Sequence, residues 1–172
     1  NRPIIDYSIS ILAECPEISE IVVVLAKSKI ETFEVLSGQS NWQKPISYCV
    51  GGSRRQDSVM AGLSALNPCD LVIIHDGARP CITKEIVHNA INSVSETGAA
   101  TAGVPTTDTI KIVNKNAKVI STPLRETLWN IQTPQIFKYE LIRKAHLEKP
   151  NADVTDDATL MEQMGVVVKV FW

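Results

Sequence analysis

With 172 residues, 44% hydrophobic and 21% charged, the chain has the size and balance of one globular domain with a real core, which excludes a disordered or low-complexity segment. A net charge of −2 argues against nucleic acid held by bulk phosphate attraction, but leaves room for a small phosphorylated substrate in a local basic pocket. The longest apolar runs, such as "IVVVLA", are far too short to span a bilayer, so no membrane partner is expected.

Apolar residues at helical spacing (Ile5, Ile9, Leu12) predict a helix over Ile4–Ala13, closed by Pro16. The β-branched run Ile21–Ala26 reads as a buried strand, followed by a polar helix over Lys29–Leu36. "ISYCV", Ile46–Val50, is a second strand, ended by Gly51-Gly52. Gln56–Leu66 is helical, with Val59, Met60, Leu63 and Leu66 on one face. "LVIIH" is a third strand. Thr83 is a credible N-cap for a helix over Glu85–Glu96 that stops near Gly98. "AATAGVP" is a small-residue fourth strand. This alternation predicts an α/β fold with a mostly parallel sheet covered on both faces.

The period then changes. "TIKIVNKNAKVIST", Thr109–Thr122, alternates with period two around Asn114–Asn116 and predicts a polar hairpin that projects as an arm. Gln135–Leu147 reads as a helix, and Asp156–Met164 as another, capped by Thr155 and closed by Gly165; "VVVKVF" is a last strand.

Ligands of an open α/β sheet bind outside the carboxyl ends of its strands. Three stretches fall there. In "GGSRRQDS", Gly51 and Gly52 allow close backbone approach, Ser53 is a candidate helix cap, Ser58 offers a hydroxyl and Arg55 a fork of donors. The plain alternative is a turn with a solvated arginine pair. In "HDGARP", Asp76 and Arg79 are either a surface ion pair or part of a site, with Gly77 and Pro80 setting the turn and His75 more suited to structure than to general base catalysis. In "LRETLWNIQTPQ", Arg125 and Thr133 offer a phosphate fork and a hydroxyl, and Pro134 biases Thr133 towards extended backbone. The chain carries no H-x-x-x-H or Cys-type metal motif, so magnesium held mainly by substrate phosphates is the metal compatible with it. No G-x-G-x-x-G follows a strand, which disfavours a dinucleotide-dependent dehydrogenase. Cys15, Cys49, Cys69 and Cys81 are widely spaced and predict free, semi-buried thiols in a reducing compartment.

"GGSRRQDSV", "VIIHDGARP", "DTIK", "LWNIQTPQ" and "VTDDA", in this order, resemble the 2-C-methyl-D-erythritol 4-phosphate cytidylyltransferase family over nearly the whole chain. The resemblance implies a Rossmann-like, three-layer α/β/α single domain, 1–172, with a β-arm at roughly Thr106–Leu128 that clasps a second subunit. It implies CTP as nucleotide donor, a sugar-alcohol phosphate as acceptor, and Mg²⁺ held mainly by the CTP phosphates. Gly51, Gly52, Ser53 and Ser58 match the family's nucleotide pocket. Asp76, Arg79, Thr109, Arg125, Thr133 and Thr155 match positions around the acceptor, with Arg125 placing the attacking phosphate. Ser53 stands where the family often has an acid. The family's glycine-rich phosphate loop and a C-terminal lysine segment are expected to lie outside this sequence. The implied compartment is bacterial cytoplasm or plastid stroma. A ribitol-5-phosphate cytidylyltransferase and a non-catalytic nucleotide-binding domain are the alternatives; "HDGARP" and "RETLW" favour the methylerythritol enzyme.

Overall fold

The computed structural model describes residues 2–152 and 154–172. The elements run α1 (Ile4–Glu14), β1 (Ile21–Leu25), α2 (Ile30–Gln39), β2 (Ile46–Val50), α3 (Arg55–Ala65), β3 (Leu71–Ile74), α4 (Lys84–Thr97), β4 (Ala99–Pro105), β5 (Ile112–Val113), β6 (Val119–Ser121), β7 (Trp129–Lys138), α5 (Tyr139–Glu148), α6 (Asp157–Gln163) and β8 (Lys169–Phe171). Four strands form one sheet in the order β3-β7-β4-β8, in which β3, β4 and β8 point the same way and β7 alone runs against them. β1 and β2 pair in parallel as a separate ribbon.

Period two along the central strands sorts the core into layers. Phe137 and Ala99 face one side, where they pack with Leu63, Ile142, Leu160 and Met161 under α3, α5 and α6. Ile136 and Ala100 face the other, with Ala90, Val94 and Phe171 under α4. Each such large side chain contributes about 1.5–3 kcal/mol by leaving water. β4 is small-residue because helices press on both its faces. α4 is delimited as the sequence suggests: the Thr83 hydroxyl accepts from Ile86 N–H, and Gly98 ends the helix at φ +82°, a conformation that favours glycine.

β7 corrects the sequence reading. Residues 129–138 form one ten-residue strand, and the helix expected from Gln135 begins only at Tyr139. Pro134 lies inside this strand. It is tolerated because the β4–β7 register shifts between Thr101 and Gly103, and Pro134 falls outside the paired positions of both ladders. Adjacent Ile136 and Phe137, both buried, suit a strand covered on both faces as well as they suit a helix.

The arm is the β5–β6 hairpin. Its turn is tied by Asn114 Oδ1, which accepts from the N–H groups of Asn116 and Lys118, each at 3.0 Å. Its base closes where Thr106 N–H donates to Leu128 O at 3.0 Å. Ile112, Val113, Val119, Ile120 and Leu124 are all exposed along it.

Candidate active site

β1 and β3 do not pair; between them lies a largely apolar cleft of ≈ 630 Å³. Its mouth, at the carboxyl ends of the strands, is lined by Gly51, Gly52, Arg55, Ser58, His75 and Asp76. The glycine pair is required by packing. A Cβ on Gly51 would lie 2.7 Å from Ser58 Oγ, and one on Gly52 would lie 2.3 Å from Asp57 Cβ. The loop therefore folds flat onto the first turn of α3.

Ser53 does not cap that helix. Arg54 occupies the cap position in extended backbone, and its N–H donates to Asp57 Oδ2 at 3.2 Å, as does Ser53 Oγ. The Arg54 guanidinium is the main force holding the Asp57 carboxyl down at about 2, with the Arg54 amide and the Ser53 hydroxyl adding to it against partial desolvation. Ser58 Oγ donates back to Arg54 O at 3.1 Å. Ser53 is exposed and Ser58 half-buried.

Asp76 and Arg79 form an ion pair, Nε to Oδ2 at 3.0 Å, with both side chains about two-fifths exposed (41% and 42%). Such a pair contributes about 0–1 kcal/mol, so its stability value is small. The turn is held by other bonds. Arg79 O accepts from Ser8 Oγ at 3.1 Å and lies 3.0 Å from His75 Nε2. Thr133 Oγ1 sits 3.1 Å from His75 Nδ1 and accepts from Asp76 N–H at 3.1 Å. Burial lowers the His75 pKa from its ordinary value, against the Arg79 carbonyl and the Asp76 charge.

Two residues beyond Thr133, Gln135 joins β7 to α6. Its Oε1 accepts from Asp157 N–H (3.1 Å) and Ala158 N–H (3.3 Å); its Nε2 donates to Asp156 Oδ2 (2.7 Å) and Thr101 Oγ1 (3.0 Å). The expected Thr155 cap is corrected here: Asp156 is the N-cap, accepting from Thr159 N–H at 2.9 Å, and Thr155 is exposed one residue before it. Burial pushes the Asp156 carboxyl up, but the Thr159 hydroxyl and N–H, the Gln135 amide and Arg55 together bring it below the usual range.

Sequence reasoning missed a buried set behind the mouth. Asp157 Oδ1 lies 2.9 Å from His146 Nε2, and Asp157 Oδ2 lies 2.7 Å from Arg55 Nη1. Asp157 thus holds Arg55 at the rim of the cleft. The doubled aspartate of "VTDDA" was the only hint. Thr109 and Arg125 stand apart on the arm, both exposed; Arg125 Nη1 donates to Thr107 O at 3.1 Å. Among the described residues neither is hydrogen-bonded to the cleft mouth, whereas Asp76 is bonded directly to both Arg79 and Thr133.

The cysteines are free, as expected, and burial raises the thiol pKa of Cys15, Cys49 and Cys69, which makes them poor nucleophiles. Among the described residues no three His, Cys, Asp or Glu side chains are grouped to hold a metal, and no helix is long and apolar enough to cross a membrane.

A sequence model of the family described as "IspD: 2-C-methyl-D-erythritol 4-phosphate cytidylyltransferase" matches residues 1–171. The chain belongs to this family. It is 42% identical over 173 residues to the 2-C-methyl-D-erythritol 4-phosphate cytidylyltransferase of Alkaliphilus oremlandii, covering 98% of this chain and 73% of the relative. It is 38% identical over 170 residues to that of Dehalococcoides mccartyi, covering 99% and 74%. Among solved structures it is similar to 4-diphosphocytidyl-2C-methyl-D-erythritol synthase from Anaerococcus prevotii, with a TM-score of 0.91 at 31% identity over 99% of this chain and 76% of the other. The Thermus thermophilus 2-C-methyl-D-erythritol 4-phosphate cytidylyltransferase superposes with a TM-score of 0.80 at 26% identity, covering 99% and 79%. Membership of the 2-C-methyl-D-erythritol 4-phosphate cytidylyltransferase family makes the chain a nucleotidyltransferase of isoprenoid biosynthesis and confirms the Rossmann-like α/β fold with its arm.

Proposed function

We propose that CTP binds at the cleft mouth on Gly51, Gly52, Ser53 and Ser58, and that Asp76, Arg79, Thr133 and Thr155 shape the adjoining site for 2-C-methyl-D-erythritol 4-phosphate. The observation that carries this reading is the joining of Asp76, Arg79 and Thr133 by direct hydrogen bonds beside the glycine pair that the helix start demands. Thr109 and Arg125 complete the acceptor site from a second subunit. The exposed apolar residues of the arm support such a homodimer, since a contiguous apolar patch marks an interaction surface.

A phosphate oxygen of the acceptor attacks the α-phosphorus of CTP in line. A new P–O bond forms, the bond from the α-phosphorus to the pyrophosphate oxygen breaks, and pyrophosphate leaves. The attacking phosphate is ionised near neutral pH, so no protein base is needed. Catalysis rests on positioning and on neutralising charge. Arg125 places the attacking phosphate and Arg79 faces the same anion once released from Asp76. With no three-carboxylate cluster among the described residues, a magnesium ion would take most of its ligands from the CTP phosphates, and would supply charge neutralisation there. The reading places the enzyme in the cytoplasm.

Pyrophosphate release from CTP in the intact enzyme tests this. Turnover with 2-C-methyl-D-erythritol 4-phosphate exceeds that with ribitol 5-phosphate. Arg125→Ala loses about 2–5 kcal/mol of kcat/KM for the acceptor while CTP affinity is kept. Equal use of ribitol 5-phosphate, or an unchanged acceptor KM in the variant, contradicts the assignment.

A further inference from the structure

We propose that His75 fixes the polarity of the Thr133 hydroxyl, so that Thr133 meets the substrate only as a hydrogen-bond acceptor and recognises a hydroxyl of the polyol chain, not its phosphate. The proposal rests on the reading of Thr133 as a substrate residue.

One group in this cluster has no choice of role. Arg79 O lies 3.0 Å from His75 Nε2, and a carbonyl oxygen can only accept. Nε2 therefore carries the ring proton. Burial disfavours the charged ring, so Nδ1 presents a bare lone pair. Thr133 Oγ1 is 3.1 Å from that lone pair, and its single hydrogen must go there. Asp76 N–H, at 3.1 Å, donates into the same oxygen and takes one of its two lone pairs. What remains to the half-buried Thr133 is one lone pair and no hydrogen. A phosphate oxygen, itself an acceptor, is repelled there; an alcohol hydroxyl is welcomed.

His75 is thus a positioning residue. It acts through Thr133 and touches neither the phosphates nor the reacting atoms. The same ring, with Ser8, also ties down the carbonyl of Arg79. One neutral imidazole thereby couples the turn that holds Asp76 and Arg79 to the hydroxyl on β7.

The test uses the intact enzyme with CTP, 2-C-methyl-D-erythritol 4-phosphate and its deoxyfluoro analogues, in each of which one hydroxyl is replaced by a fluorine that cannot donate. In the unaltered enzyme one analogue shows an acceptor KM raised about tenfold, with kcat less affected. Thr133→Val raises the KM of the natural substrate by a similar factor and abolishes discrimination against that analogue. His75→Leu frees the Thr133 hydrogen and also abolishes it. His75→Asn places an amide oxygen near the former Nδ1 and restores it, which a purely structural role would not do. Thr133→Ser keeps the hydroxyl beside His75 Nδ1 and with it the discrimination against that analogue, whatever its overall rate. If Thr133→Val leaves every KM unchanged, the reading of Thr133 as a substrate residue fails. If it raises KM equally for the substrate and all analogues, or if His75→Leu keeps full discrimination, Thr133 is a substrate residue but the acceptor assignment is overturned.

Discussion

Replacing Gln135 with Met keeps the volume of the side chain and removes its amide. Gln135 is 1% exposed, and all four hydrogen-bonding capacities of the amide are used. The change leaves the N–H groups of Asp157 and Ala158 in a buried helix start without their acceptor. An unsatisfied buried group costs about 1–3 kcal/mol. Asp156 also loses a charge-assisted bond at 2.7 Å, a loss of about 1.5–3 kcal/mol. Burial of the extra apolar surface and a small shift of α6 return about 1–2 kcal/mol. The expected net loss is about 3–5 kcal/mol, which in urea moves the unfolding midpoint down by about 2 M with an unchanged slope. A loss below about 1 kcal/mol would refute the view that this amide holds α6, and with it Thr155, against the sheet.

Two other outcomes follow from the same structure. Val119 and Ile120 on the arm are 60% and 64% exposed; on the proposal that the arm holds a homodimer, the double substitution Val119→Lys, Ile120→Glu gives a monomer in sedimentation velocity, and a persistent dimer contradicts the arm as its interface. His75, shielded by burial and faced by Asp76, Arg79 and Thr133, titrates below its ordinary 6.5 when followed by nuclear magnetic resonance. The folded chain then binds fewer protons than the unfolded one, so the contribution of His75 to stability is full above pH 6.5 and is lost as pH falls through the lowered folded value. A midpoint at or above 6.5 contradicts a neutral imidazole.

The first half of the fold was legible because local rules and tertiary demands agree there. The β-branched run of β1, the apolar face of α4, its Thr83 cap and Gly98 each point to the element found. Beyond the arm they disagree. β7 carries a proline inside a central strand, which only the register shift against β4 permits, and that shift involves residues some thirty positions away. Its antiparallel insertion between β3 and β4 has no local signature. The cleft-mouth glycines and the Asp76–Arg79 pair were visible as motifs. The Arg55–Asp157–His146 set was not, since it exists only through the packing of α3, α5 and α6. Caps show the same limit at short range: Thr155 and Asp156 are both good cap residues, and Gln135 decides between them by binding Asp156.

The central claim is that each site takes Asp76 from one subunit and Arg125 from the arm of the other. Mixing intact enzyme carrying only Asp76→Ala with enzyme carrying only Arg125→Ala, after subunit exchange, tests it directly. In a two-fold dimer the mixed species then holds one site with both residues intact, so two nearly inactive proteins regain about a quarter of the original pyrophosphate release. Activity that stays at the level of the separate variants would contradict the shared site.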